Sequence, residues 1–218
     1  MTESLLEIIH QDSEFVVINK PSGLLSVPGR GEDKIDSVTH RVQQLFPECI
    51  KIPVVHRLDM DTSGLMVVAL TSVAQRHLSI QFQERQTKKY YEALLDGILD
   101  TVTDKQSGTI ELPFRLDVDN RPIQIYDENQ GKIGITHWKK LAIEKDAYTR
   151  VFFEPITGRT HQLRLHSYHH KGLGIPIVGD PFYGNGTRAG QMKLHACELS
   201  FYHPITQEWL TFKSRPNF

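Results

Sequence analysis

The sequence predicts an α+β fold, and three observations carry that expectation. Short apolar runs recur along the whole chain, each bounded by proline, glycine, asparagine or aspartate. Only three segments show the spacing of an amphipathic helix. The runs and helices do not alternate regularly, as a parallel βαβ sheet would require. The 218 residues are enough for one domain, or two joined lobes, with a sizeable core.

Taken in order, Glu14 to Asn19 is a buried strand stopped by Lys20-Pro21-Ser22-Gly23. A looser stretch with Pro28, Gly29 and Gly31 follows. Ser37 caps a helix carrying Val38, Val42, Leu45 and Phe46, closed by Pro47. Val54-Val55 starts a short strand running into His56-Arg57-Leu58-Asp59. After the turn residues Asp61-Thr62-Ser63-Gly64, Leu65 to Leu70 form a second buried strand. Thr71 or Ser72 caps a helix to about Gln86, with Ala74, Leu78 and Phe82 on one face. A strand from Tyr90 to Leu99 and a polar loop from Asp100 to Ser107 come next. Short strands are expected at 108–112, 123–126, 135–143 and 149–154. Thr157-Gly158-Arg159 turns into a helix from about Thr160 to Tyr168. A glycine-rich loop then leads to strands at 195–201 and 209–213. Residues 1–13 are a lead-in, and 14–218 form one catalytic domain.

The composition excludes several classes. The longest apolar run, Leu65 to Leu70, is far too short to span a membrane, and the first residues lack the basic-then-apolar pattern of a secretion signal. A cytoplasmic protein with free thiols at Cys49 and Cys197 is expected, acting as a monomer. Net charge is −1, so no strong basic character marks a nucleic-acid binder. Charge is nevertheless segregated. Arg76, Arg85, Lys88 and Lys89 form one basic block, and Arg150, Arg159, Arg164 and Lys171 another. Nine carboxylates against three basic residues lie between them, from Glu92 to Glu128. The two blocks either converge on one positive face or are solvated helix faces.

Three segments carry candidate chemistry. His56-Arg57-Leu58-Asp59-Met60-Asp61-Thr62-Ser63-Gly64 packs two carboxylates, an arginine and a histidine between apolar strands, where a positioned carboxylate is useful. Its Asp-x-Asp spacing also resembles a calcium loop, but Leu70 stands where the bidentate glutamate belongs. The same spacing keeps open a phosphoryl-transfer reading for Asp59 and Asp61, and a turn stapled by an Asp–Arg pair is the purely structural one. In the segment Pro155 to His166, His161 and Arg164 share a helical face, and an arginine beside a carboxylate would keep it ionised. His166, His169 and His170 have helical spacing but no accompanying zinc pattern. No phosphate-cradling glycine loop is present, so neither a metal nor a nucleotide cofactor is expected. In Lys88-Lys89-Tyr90-Tyr91-Glu92-Ala93, adjacent tyrosines of a strand point to opposite faces, so one of them can offer a base a flat ring and a hydroxyl.

Together these segments resemble the RluA-type family of pseudouridine synthases. The resemblance rests on His56 to Gly64, supported by Asn19-Lys20-Pro21-Ser22-Gly23, by Gly158 to His166 and by Gly179-Asp180-Pro181-Phe182-Tyr183-Gly184. It covers nearly the whole chain from Phe15, with no room for the N-terminal S4 domain that many relatives carry. The resemblance implies a mixed, mostly antiparallel sheet with flanking helices and a central active-site cleft. It implies isomerisation of uridine to pseudouridine in structured RNA without cofactor or metal. Uridine 32 of tRNA anticodon stem-loops and uridine 746 of 23S rRNA are the implied targets. Carried over by position, Asp59 is the implied catalytic aspartate, Arg164 its ion-pair partner and Tyr91 the active-site tyrosine. Arg57 is implied to fill the space left by the extracted base. His56, Lys88, Lys89 and Arg159 are the remaining candidates for RNA contact. A catalytically silent RNA-binding module is the non-enzymatic alternative.

Overall fold

The structure, a computed structural model, describes residues 6–218. Residues 1–5 of the expected lead-in lie outside the described residues. Among the described residues ten strands and three α-helices follow in chain order. They are β1 (Glu7–Gln11), β2 (Phe15–Lys20), α1 (Val38–Leu45), β3 (Ser63–Ala69), α2 (Ser72–Gln83), β4 (Lys88–Leu95), β5 (Ser107–Leu116), β6 (Gln124–Tyr126), β7 (Lys132–Glu144), β8 (Tyr148–Pro155), α3 (Gln162–Tyr168), β9 (Leu194–Tyr202) and β10 (Trp209–Lys213). The chain divides into two compact units, one of Met1–Lys89 with His195–Asn217, the other of Tyr90–Leu194 with Phe218.

In the first unit the strand order is β1-β2-β3-β9-β10. All neighbours are antiparallel except β3 and β9, which run parallel with Ser63 opposite His195. Phe15 to Ile18 and Met66 to Ala69 are fully buried, so β2 and β3 are covered on both faces. That is why they appear in sequence as continuous apolar runs without alternation. Phe15, Val17, Leu65, Val67, Leu199 and Phe201 form one core with Ala74 and Leu78 of α2. Both helices begin at the expected caps. Ser37 accepts the His40 N–H at 3.3 Å, and Thr71 accepts that of Ala74 at 3.1 Å. Thr71 also donates to Glu14 at 2.6 Å, fixing α2 to the start of β2.

In the second unit β4, β8, β7, β5 and β6 lie side by side in that order, all antiparallel. Alternate residues Ile110, Leu112 and Phe114, with Val151 and Phe153, face a core completed by Leu163 and Leu165 of α3. The helix starts at Gln162, two residues later than the sequence suggests. The Gln162 side chain is the cause: its Oε1 accepts from the Thr157 hydroxyl at 2.6 Å and from the Arg159 N–H at 3.1 Å. That holds residues 157–161 in a turn, and His161 takes a left-handed conformation with φ 54°.

Two other expectations change. The lead-in contains β1, missed because a bulge between Ile8 and His10 breaks its alternation. The expected strand at Val54-Val55 reduces to a single bridge between Val54 and Val68. Among the described residues no helix is long and apolar enough to cross a membrane.

Two buried histidines give this fold an acid sensitivity. His166 is fully buried, with Phe114 edge-on at 5.8 Å, and burial lowers its pKa to about 4. His195 sits between the hydroxyls of Ser63 and Ser214 at 2.9 and 3.1 Å; burial again lowers its pKa to about 4, against the opposing pull of Ser214 and Glu7. Both rings are neutral in the fold, whereas the unfolded chain protonates them below about pH 6.5. Stability should therefore fall as pH drops from about 6.5 towards 4, each ring adding up to about 1.4 kcal/mol per pH unit. Urea midpoints at successive pH values measure this, and His166→Leu should flatten the profile by one proton.

Candidate active site

The segment His56 to Thr62 bridges Val54 and the start of β3, and its backbone has no strand neighbour to satisfy it. The polar groups it needs come largely from residues 20–26. Ser26 Oγ accepts the Leu58 N–H at 3.1 Å and donates to the Leu58 carbonyl at 2.6 Å, acting as a one-residue strand partner. The Gly23 N–H donates to the Met60 carbonyl at 2.9 Å, and the Ser22 hydroxyl to that of Asp61 at 2.5 Å. Lys20 is fully buried. Its ammonium donates to the carbonyls of Pro21, Leu24 and Met60 at 3.0, 2.7 and 2.8 Å, which uses all three protons. Burial lowers its pKa to about 7, while Asp61 and Asp59 favour the charged form. Within the loop, the Thr62 N–H closes a turn on the Asp59 carbonyl at 3.1 Å.

This clamp sorts the loop's side chains. Leu58, Asp61 and Thr62 are buried, at 4, 3 and 3 % exposure, whereas Asp59 stays partly open and Arg57 is exposed. His56 turns inward. Its ring stacks on Phe82 at 4.3 Å, nearly parallel, and its Nε2 accepts the Val67 N–H at 3.1 Å. A nitrogen that accepts cannot carry a proton, in keeping with a pKa that burial, helped by Lys89, lowers to about 3. Lys89 also turns in, its ammonium 6.0 Å from the centre of the Phe82 ring; burial lowers its pKa, with Arg85 adding to the effect. Lys88, on the opposite face of β4, is exposed. Of the two adjacent lysines only Lys88 presents its charge to solvent, and His56 is a structural ring rather than a surface group.

The second unit places the other candidates. Tyr91 is half-buried on β4, opposite Phe153 of β8, and packs against the core. Tyr90 stacks on Phe152 at 5.1 Å. Arg164 lies in the first turn of α3 at 2 % exposure. It donates through Nε and Nη2 to the two carboxylate oxygens of Asp180 at 2.8 and 2.7 Å. Asp180, with no exposure, also accepts the N–H groups of Phe182 and Tyr183 at 2.9 and 3.1 Å. The Phe182 and Tyr183 rings lie 5.0 and 5.4 Å from the guanidinium, so the arginine is held on several sides. Arg159 is exposed in the turn before α3. Among the described residues no group of three or more histidine, cysteine, aspartate or glutamate side chains is arranged to hold a metal.

Sequence reasoning missed three of these roles. Lys20 and Asp180 stand inside segments already singled out, but a charge in a sequence motif gives no sign of burial. Ser26 carried no signal, since a lone serine among apolar residues has no periodicity to betray a partner 32 residues away.

These features can be set beside known proteins. The sequence profile described as RNA pseudouridylate synthase matches residues 14–169, which takes in both the clamped loop and α3. The chain belongs to the RNA pseudouridylate synthase family. The dual-specificity RNA pseudouridine synthase RluA of Pasteurella multocida (strain Pm70) is 46 % identical over 220 residues, spanning 100 % of this chain and 96 % of that protein. Its counterpart in Escherichia coli (strain K12) is 43 % identical over 219 residues, spanning 99 and 95 %. The solved structure of human RNA pseudouridylate synthase domain containing 1 superposes with a TM-score of 0.77 at 29 % identity, covering 100 % of this chain and 87 % of that one. The α+β class predicted from the sequence is the family's fold. The chain is an isomerase that converts uridine to pseudouridine in RNA.

Two substitutions test the positioning network. Ser26→Ala leaves both polar groups of Leu58 unmatched, and should lower stability by about 1–3 kcal/mol. Urea unfolding measures the loss. Asp180→Ala strips a buried arginine of its carboxylate and should cost about 3–5 kcal/mol, seen as a lower urea midpoint.

Proposed function

We propose that Asp59 is the catalytic carboxylate of this isomerase and that its targets are uridine 32 of tRNA anticodon stem-loops and uridine 746 of 23S rRNA. The observation that carries the assignment is the contrast within one loop: Asp59 is partly open to solvent, whereas Asp61 is buried at 3 % exposure. The same contrast counts against phosphoryl transfer, which would need both carboxylates to reach one ligand. The names of the relatives, dual-specificity RNA pseudouridine synthases, support the choice of two RNA targets. A cytoplasmic setting and action as a monomer belong to the same reading.

The reaction breaks the N1–C1′ bond, turns the uracil and rejoins it through C5; the C5 proton leaves and N1 gains one, so atoms balance. Asp59 acts at the sugar, by attack on C1′ or by removal of the 2′ proton. Arg164, steadied by Asp180, is the arginine that the resemblance assigns to the reaction. Tyr91, or a water it orients, takes the C5 proton. The target must leave the helix stack at a cost of a few kcal/mol, which exposed Arg57 offsets by filling the gap. Lys88 and Arg159 are the phosphate contacts, holding register without reading sequence. His56 and Lys89 support the loop from within.

Asp59→Asn should abolish isomerisation and leave affinity for a stem-loop within about twofold, because the amide keeps the shape without the chemistry. Tritium release and filter binding separate the two, and substantial turnover would remove Asp59 from its role. Mapping pseudouridine in total RNA from a strain lacking the protein tests the two targets; both modifications persisting would overturn them.

A further inference from the structure

At the far end of β9 from the Asp59 loop, the first unit carries an open groove of about 830 Å³. It is lined by Arg85, Thr87 and Lys88, which join α2 to β4, and by Tyr202 and Trp209, which face each other across the β9–β10 hairpin. The chemistry of its walls is specific. Tyr202 and Trp209 meet edge to face with ring centres 4.8 Å apart, yet remain 42 and 41 % exposed. Among the described residues neither the Arg85 guanidinium nor the Lys88 ammonium has a hydrogen bond or ion pair. The nearby Glu84 carboxylate is engaged by the Gln86 amide at 2.9 Å.

Two further observations indicate that something binds here. Thr87 is 9 % exposed, and its hydroxyl is buried with no hydrogen-bond partner among the described residues, a cost the free protein leaves uncompensated. Arg85 occupies the left-handed position that ends α2, with φ 59°. Its N–H bonds to the Phe82 carbonyl and that of Gln86 to the Gln81 carbonyl at 2.8 Å, the helix ending that glycine ordinarily serves. A long cationic side chain stands where backbone geometry favours none, and it points to a groove rather than to a carboxylate.

We infer that this groove is a second RNA contact, taking one nucleotide of the substrate away from the reacting uridine. A base stacks on the exposed face of Trp209 or Tyr202, and its phosphate lies between Arg85 and Lys88. That RNA binds here rests on the family's RNA substrate; that the contact lies away from the reacting uridine rests also on the role proposed for Asp59. Tyr202 lies seven residues further along β9 than His195, which is opposite Ser63, a span of about 23 Å. The contact therefore falls several nucleotides from the target, and it supplies affinity rather than chemistry.

Trp209 is its own reporter. Titration with a stem-loop substrate should quench tryptophan emission at concentrations near KM, and Trp209→Phe should remove most of that quench. Arg85→Gly relieves the left-handed backbone, so it should melt at or above the wild-type temperature. Its KM for the stem-loop should nonetheless rise about three- to tenfold with kcat unchanged, and its log–log salt dependence should flatten by roughly 0.7–0.9, one phosphate contact. Trp209→Ala should raise KM similarly without flattening the slope. Quenching by uridine monophosphate alone, with KM values untouched, would make the groove a free-nucleotide site and overturn the proposal. No quench by the stem-loop and wild-type KM in both variants would overturn it equally. The quench titration reads binding without turnover, so failure of Asp59 as the catalytic group leaves that result interpretable.

Discussion

A loop that keeps one carboxylate partly open between buried strands has to expose that side chain while satisfying its own backbone, and residues 20–26 meet this demand for the loop around Asp59. Lys20, Ser22, Gly23 and Ser26 make hydrogen bonds to the backbone of Leu58, Met60 and Asp61. Without them, buried carbonyl and N–H groups would face an apolar interior, at a cost comparable to the net worth of several ordinary hydrogen bonds. The arrangement leaves Asp59 little freedom to reorient, which is the condition for directed chemistry. It also explains why a lysine tolerates complete burial. Its three protons meet three carbonyls, and two carboxylates lie within electrostatic range.

Arg164 is fixed by a different physical means. Here the buried partners are ions, and a bidentate carboxylate, two backbone N–H groups on that carboxylate and two aromatic rings surround the charge. Burying an ion pair is expensive, so such a pair contributes more to direction than to stability. A guanidinium whose plane is set by Asp180 presents its remaining donors in a fixed orientation. The Asp59 loop thus reaches rigidity through hydrogen bonds from hydroxyl, backbone and ammonium donors to its backbone, and α3 through a buried ion pair.

Much of the fold was legible because its signals are local. The continuous apolar runs of β2 and β3 mark strands buried on both faces, and Ser37 and Thr71 cap the helices as their position suggests. The strand Trp209–Lys213 has the expected bounds. What escaped depends on partners distant in sequence. The outward or inward sense of Lys88 and Lys89 is set by the strand's pleat and by Phe82, and His56 takes its direction from the same ring. The delayed start of α3 follows from one glutamine side chain that caps the preceding turn. The lead-in strand was hidden by its bulge.

The parallel pairing of β3 with β9 has a bearing on the order in which the loop and its support are made. Gly64, at φ +111°, lies so close to the Ala196 backbone that a Cβ there would overlap its carbonyl oxygen and nitrogen, and Ser63 is bonded to His195 across 132 positions of chain. Every residue of the Asp59 loop is synthesised before the strand that closes against its exit. Contacts so distant in sequence form late, since loop closure must precede them. A nascent chain therefore carries the whole loop without this support until β9 has been made.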